Sequence, residues 1–218
     1  GIRDVAVTGV QTCALPIFGI VTEALLRLMP KPEHVETLVA MFPSTETAGD
    51  AVSAIIAGGV VPAAIEMMDR LAIEAARTQT PIDWDTEAAL IVELDGPVSE
   101  VRSQFEQVTA ICARCGSEDV RVAQSPEERM VIWRARKSAF AAVGQLAPAY
   151  LVQDGVIPRT RLPEVLNGIK ALADEAGMRV ANVFHAGDGN LHPLVLYDNA
   201  VDGEQERAER VAIRIVEL

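Results

Sequence analysis

Aromatic residues make up only 4% of this 218-residue chain, and it holds three cysteines and three histidines. Three cysteines cannot form an even disulfide framework, so a reducing compartment is the default expectation. Positive charge is also scarce: 19 Lys and Arg stand against 31 Asp and Glu, for a net charge of −12. That balance argues against a nucleic-acid surface and against a polybasic membrane contact. No apolar run is long enough for a transmembrane segment and no signal peptide is visible, so the expectation is a cytoplasmic protein. No Gly-rich phosphate loop follows any predicted strand, which leaves dinucleotide binding within the chain unsupported. What the chain does have is apolar content of 50%, enough to bury one core or a core split into two lobes.

The pattern along the chain switches between the two periods of regular structure. Strands are predicted at His34–Pro43, Ala63–Met68, Ala88–Asp95 and Asp119–Ala123, with an extended stretch over Tyr150–Ile157. A helix is predicted after Ser44 as N-cap, with Thr47 where a capping box would carry Glu and Gly58-Gly59 as the stop. Further helices are predicted at Arg70–Arg77, from Pro97 onward, from Pro126 behind the N-cap Ser125, and over Pro163–Ala176 with Gly177 at its end. Ala208, Val211, Ile215 and Leu218 mark a last helix, and Thr80–Thr86 reads as a loop. This order predicts an α+β, ferredoxin-like fold, a largely antiparallel sheet with helices on one side. A doubly wound parallel sheet is the competitor.

The most informative stretch runs from Arg179 to Asp198. Two apolar, strand-like flanks enclose Gly187-Asp188-Gly189-Asn190, residue types that tolerate positive φ or bond their own backbone. If those four form the turn, His185 faces His192 across an antiparallel pair, with Cβ atoms about 5 Å apart. Two imidazoles so held can share a metal ion. The residues alone leave a second reading equally open, that of polar residues beside a tight turn.

Three other features carry chemistry. Cys112-Ala-Arg-Cys115 has redox or half-zinc-site spacing, but Cys112 falls on the apolar face of a helix and no second pair exists. Trp133-Arg-Ala-Arg-Lys137 gathers three cations in a strongly acidic chain; it is either a solvated face or a carboxylate-binding fork. Asp154-Gly155 after an apolar run reads as a turn whose aspartate can orient a ligand.

Both ends look unusual. Gly1–Ile17 has no periodicity, and Val10–Ile17 is the string that one frame of a common sequencing adapter encodes, so residues 1–17 are expected to be non-native. The last helix reaches Leu218 with no stop signal, and truncation is expected there.

Four segments together resemble one family: the run Phe18–Glu33, Trp133–Phe140, Asp154–Leu166 and His185–Pro193. In this order they resemble the C-terminal part of FAD-linked oxidases, in the branch of the glycolate oxidase flavin subunit and D-lactate dehydrogenases. The resemblance implies that residues 18–29 are the tail of an upstream FAD-binding domain, with Gly19 near the cofactor. Residues 30–218 would then be a ferredoxin-like substrate-binding cap. It implies a divalent metal, zinc among the candidates, on His185 and His192. Arg136 would bind the substrate carboxylate, with Asp154 and Asn190 beside it, and FAD would accept a hydride from a 2-hydroxy acid.

Relatives acting on dicarboxylates carry a Thr and a Lys where this chain has Phe140 and Val152, so a small 2-hydroxy monocarboxylate is expected. An iron–sulfur partner subunit, and through it contact with the inner membrane face, is implied as well. Two motifs of the family are not seen: a Gly-Ser-Glu-Gly-Thr stretch before Phe18, and a Glu-His-Gly motif after the last helix. On that ground the chain alone is expected to bind flavin poorly and not to turn over. Two other classes remain open, a zinc hydrolase and a stand-alone ferredoxin-like binding module. The first needs a third ligand and a water-activating carboxylate.

Overall fold

The computed structural model describes residues 22–26, 28 and 30–218. Gly19 and the adapter-like segment Gly1–Ile17 lie outside the described residues. Packing divides the chain into two units, Gly1–Lys31 and Pro32–Leu218. The described residues of the first carry no helix or strand.

The second unit begins with β1 (His34–Phe42), α1 (Thr45–Ala57), β2 (Ala64–Asp69), α2 (Arg70–Arg77), β3 (Ala88–Gly96), α3 (Val98–Arg114) and β4 (Asp119–Val122). These four strands lie in the order β4-β1-β3-β2 and pair antiparallel throughout. That is the strand order of a βαββαβ, ferredoxin-like unit with α2 inserted. The chain continues through α4 (Pro126–Val143), β5 (Ala149–Val152), β6 (Gly155–Val156), a 3₁₀ turn at Arg159–Arg161 and α5 (Leu162–Ala176). It closes with β7 (Arg179–Phe184), β8 (Asn190–Leu191), β9 (Pro193–Tyr197) and α6 (Glu204–Val216). Strands β7, β9 and β5 extend the sheet beyond β2, and β6 pairs with β8 apart from it.

The predicted α+β class and antiparallel sheet are borne out, but helices do not lie on one side only. One face of the sheet packs on α1, α3, α5 and α6 through Phe42, Ile55, Leu90, Val108, Ile169 and Val211. The opposite face packs on α2 and α4 through Val39, Met68, Ile73, Ile91 and Ala139. The reason is visible in β1 and β3, whose runs Leu38–Phe42 and Ala88–Val92 are buried at every position instead of alternating. A strand apolar on both faces must be covered on both faces.

Caps follow the sequence. Ser44 Oγ accepts from Thr47 N–H at 3.1 Å, and Ser125 Oγ accepts from Glu128 N–H at 3.2 Å. Gly177 ends α5 at φ 63°, the left-handed conformation a glycine adopts without strain.

Candidate functional site

The face covered by α2 and α4 brings four side chains together near the free end of β2. Glu66 interrupts the apolar run Ala64–Met68 of β2, and it is 6% exposed. Its Oε2 accepts from Arg136 Nε of α4 at 2.9 Å and forms an ion pair with Nη2 at 2.7 Å. Its Oε1 lies 2.9 Å from His185 Nδ1, just past the end of β7. The carboxylate is an acceptor only, so in the neutral ring Nδ1 carries the proton and Nε2 the lone pair. His192 stands beside it, with ring centroids 5.9 Å apart and planes at 84°. Asp154, between β5 and β6, places Oδ1 3.4 Å from His192 Nδ1.

The two imidazoles are tuned apart. The hydrogen bond to Glu66 raises the His185 pKa above the usual imidazole value, against a smaller opposing effect of burial. Burial lowers that of His192, and nearby Asp154 only partly offsets it.

The hairpin differs from expectation in register. His185 pairs with Asn190, not His192, so the turn is Ala186–Gly189. Asn190 and Leu191 are drawn instead into β8 by pairing with Val156 and Gly155 of β6. The expected and observed pairings differ by two residues, and an even shift keeps every side chain on its own face. His185 and His192 therefore still share a face, as diagonal neighbours. The turn is braced from outside: Gly187 N–H donates to Ile65 O at 3.0 Å, Ile157 N–H to Gly189 O at 2.9 Å, and Arg159 Nη1 to Gly187 O at 3.0 Å. Gly189 has φ +70°, and a Cβ there would sit 2.2 Å from Ile157 O.

The basic cluster on α4 divides by helix face. Arg136 points inward, while Arg134 and Lys137 are exposed. One turn before Arg136, Trp133 Nε1 donates to Glu93 at 2.6 Å, and Arg129 grips the same carboxylate with two bonds of 2.8 Å. Arg129, Trp133 and Arg136 thus lie along one stripe facing acids on β3 and β2. Phe140, one turn on, meets Tyr150 edge to face at 6.5 Å. Asn190, on the same face as His185, has an Oδ1 that is buried and unpartnered among the described residues.

The cysteine pair reads as structural. Burial pushes the Cys112 thiol up to about 12 and raises Cys115 as well, so the reactive thiolate is disfavoured at both. A hollow of about 490 Å³ between the start of α1 and the end of α5 lies on the other sheet face. Several of its polar groups pair with one another: Asp69 with Asn182, Arg70 with Glu87, and Lys170 with Asp174.

Sequence reasoning missed Glu66. The signal was there, a lone Glu between Ile65 and Met67, but its partners become visible only once β2 and β7 pair. Among the described residues, no group of three or more His, Cys, Asp or Glu is arranged to hold a metal ion. The His pair fits a divalent ion in the kind of donor: the Nδ1 of His185 is tied to a carboxylate, and its Nε2 is open. It supplies two donors, where catalytic zinc sites commonly have three protein ligands. That shortfall removes the support for a zinc hydrolase built from these residues.

The profile of the family described as FAD linked oxidases, C-terminal domain, matches residues 31–218. The chain is 48% identical over 204 residues to the glycolate oxidase subunit GlcD of Escherichia coli (strain K12), covering 93% of this chain and 41% of that protein. It is 28% identical over 195 residues to the mitochondrial D-lactate dehydrogenase [cytochrome] of Arabidopsis thaliana, covering 88% of this chain and 34% of that one. In fold it is similar to p-cresol methylhydroxylase with substrate bound, at a TM-score of 0.61, 13% identity, and coverage of 87% and 44%. The chain spans about two fifths of the length of its E. coli relative. With the profile covering all of the second unit, the chain belongs to the family of FAD-linked oxidase C-terminal domains.

Proposed function

We propose that this chain is the substrate-binding cap of a flavin-dependent 2-hydroxy-acid dehydrogenase of the glycolate or D-lactate type. The observation that carries the reading is the Arg136–Glu66–His185 group, in which the buried Glu66 joins the largely buried Arg136 to the exposed His185, with His192 beside it. The names of the similar proteins, a glycolate oxidase subunit and a D-lactate dehydrogenase, support it.

Arg136 donates to Glu66 through Nε, with Nη2 in ion-pair contact, and its other N–H donors would meet a substrate carboxylate. Held there, a small 2-hydroxy acid brings its hydroxyl beside the two imidazoles, in an orientation that fixes where its C2 hydrogen points. Asn190, on the same face as His185, lies at the edge of this space as a further substrate contact. Asp154 steadies His192. Phe140, where dicarboxylate-specific relatives carry Thr, and Val152, where they carry Lys, offer no partner for a second carboxylate, which favours a monocarboxylate.

His185 and His192 would hold a divalent ion through their Nε2 atoms, zinc being one candidate, and such an ion would polarise the substrate hydroxyl as a Lewis acid. FAD, held mainly outside the described residues with Gly19 on its approach, supplies the hydride acceptor. Electron transfer onward to an iron–sulfur partner, and peripheral contact with the inner membrane face through it, belong to the same proposal. No helix among the described residues is long and apolar enough to cross a membrane.

The test is anaerobic mixing of the flavoprotein that contains this chain with glycolate and with D-lactate. Bleaching of the flavin, and its loss in Arg136→Ala, is the expected result. An intact flavin spectrum with both acids would overturn the proposal.

A further inference from the structure

Continuing the pairing of Met67 with Phe184 by one residue sets Glu66 opposite His185. Opposed residues on neighbouring strands have Cβ atoms about 5 Å apart, so the sheet itself delivers this carboxylate to the ring. From above, α4 delivers Arg136 to the other oxygen. Glu66 is 6% exposed, and an ionised carboxylate so buried is tolerated only when its lone pairs are matched. It is matched: the guanidinium donates one hydrogen bond to it and lies in ion-pair contact, and the imidazole reaches its other oxygen.

We propose that Glu66 is the positioning residue of this site, a single buried carboxylate that fixes both the tautomer of His185 and the aim of the Arg136 fork. In the neutral ring, oxygen Oε1 holds the proton on Nδ1 and so leaves the lone pair on Nε2. Oxygen Oε2 takes the inner edge of the guanidinium and turns its outer edge the same way. The two groups that meet the substrate are thereby set at a fixed separation by one residue that does not itself touch it. His192 lacks so tight an arrangement, since Asp154 Oδ1 stands off at 3.4 Å from its Nδ1. The site is therefore asymmetric: one imidazole is locked and the other is adjustable.

Glu66→Gln makes the test sharp. An amide must turn its oxygen to Arg136, which has only donors, and so presents an N–H₂ to His185 Nδ1. The ring then has to carry its proton on Nε2, the reverse tautomer. Long-range ¹H–¹⁵N correlation of the imidazoles at mildly alkaline pH reads this directly. The expected result is an Nδ1–H tautomer for His185 in the 218-residue chain and an Nε2–H tautomer in Glu66→Gln, with His192 unchanged. D-lactate binding, followed by NMR titration, should weaken by roughly tenfold in the variant, about 1.4 kcal/mol.

An Nε2–H tautomer in the unaltered chain would overturn the assignment without any variant. So would a Glu66→Gln protein that folds and keeps the original tautomer, or one that switches tautomer yet binds D-lactate undiminished. The inference rests on the proposed function for what the site binds, but the tautomer belongs to the chain alone. A switch of tautomer in a protein that never binds D-lactate would sink the substrate reading and leave the tautomer assignment standing.

Discussion

Arg136 and Lys at the same place would carry the same charge but not the same geometry. Lys is a point charge with no planar fork, so it cannot grip Glu66 and a substrate carboxylate side by side. Arg136→Lys is expected to weaken D-lactate binding by about tenfold, roughly 1.4 kcal/mol, in an NMR titration. The same spectra follow the imidazoles against pH. His185 should titrate above the ordinary value of 6.5 and His192 below it. For His185 the sign is that of a group gaining a partner: its contribution to stability is full below the unfolded value and is lost as pH rises through the raised one. For His192 the neutral ring is the favoured form, so its environment disfavours folding as pH falls below 6.5. At this scale spacing and residue type singled out His185 and His192, whereas Arg136 was picked out of its basic cluster by the family resemblance. Glu66 stayed hidden because its meaning comes from a strand 119 positions away in the chain.

The elements are joined by polar contacts as well as by apolar packing. Burial pushes Glu93 upward, but hydrogen bonds from Arg129, Trp133 and Thr37 outweigh it and leave the carboxyl below its usual value. The stabilisation it lends is present above the unfolded value of 4.5 and is lost as pH falls through the lowered one. Glu93→Gln leaves a half of the Arg129 fork unmatched and should cost about 2 kcal/mol in urea unfolding, loosening α4 on the sheet. An unchanged midpoint would show that α4 is held by Ile132, Ala135 and Ala139 alone. In the hairpin, Gly189→Ala combines a positive φ with a Cβ 2.2 Å from Ile157 O. It should destabilise the chain by ~2 kcal/mol or more and shift the resonances of both histidines. The hairpin's existence was readable from its Gly-Asp-Gly-Asn chemistry, but its register was not, because β6 captures Asn190 and Leu191 from a distance. The second helical layer could have been foreseen from the unbroken apolar runs of β1 and β3, had they been weighed as doubly buried strands.

Across the molecule, Asp69 joins the start of α2 to β7, accepting from Ala72 N–H at 2.9 Å and from Asn182 at 2.6 and 2.9 Å. Its burial nonetheless raises its pKa from 3.8 to about 6. Between those values the folded state holds a proton that the unfolded chain releases, so this group lowers stability by about 3 kcal/mol as pH rises through the interval. Asp69→Asn should flatten that part of the stability–pH curve in denaturant titrations, and an unaltered slope would show that another group is responsible. The α+β class and the ferredoxin-like strand order were within reach of the sequence, because the alternation of strand and helix patterns constrains them.

The central claim is that this fold gathers Arg136, His185 and His192 to receive a small 2-hydroxy acid. The measurement that tests it most directly is a ¹H–¹⁵N titration of the 218-residue chain with D-lactate and glycolate, with acetate as the control lacking a hydroxyl. Saturable shifts at the Arg136 Nε–H and both imidazoles, weaker with acetate, are the expected result. Silence at all three groups, or shifts confined to the opposite sheet face around Lys170 and Arg179, would contradict the account.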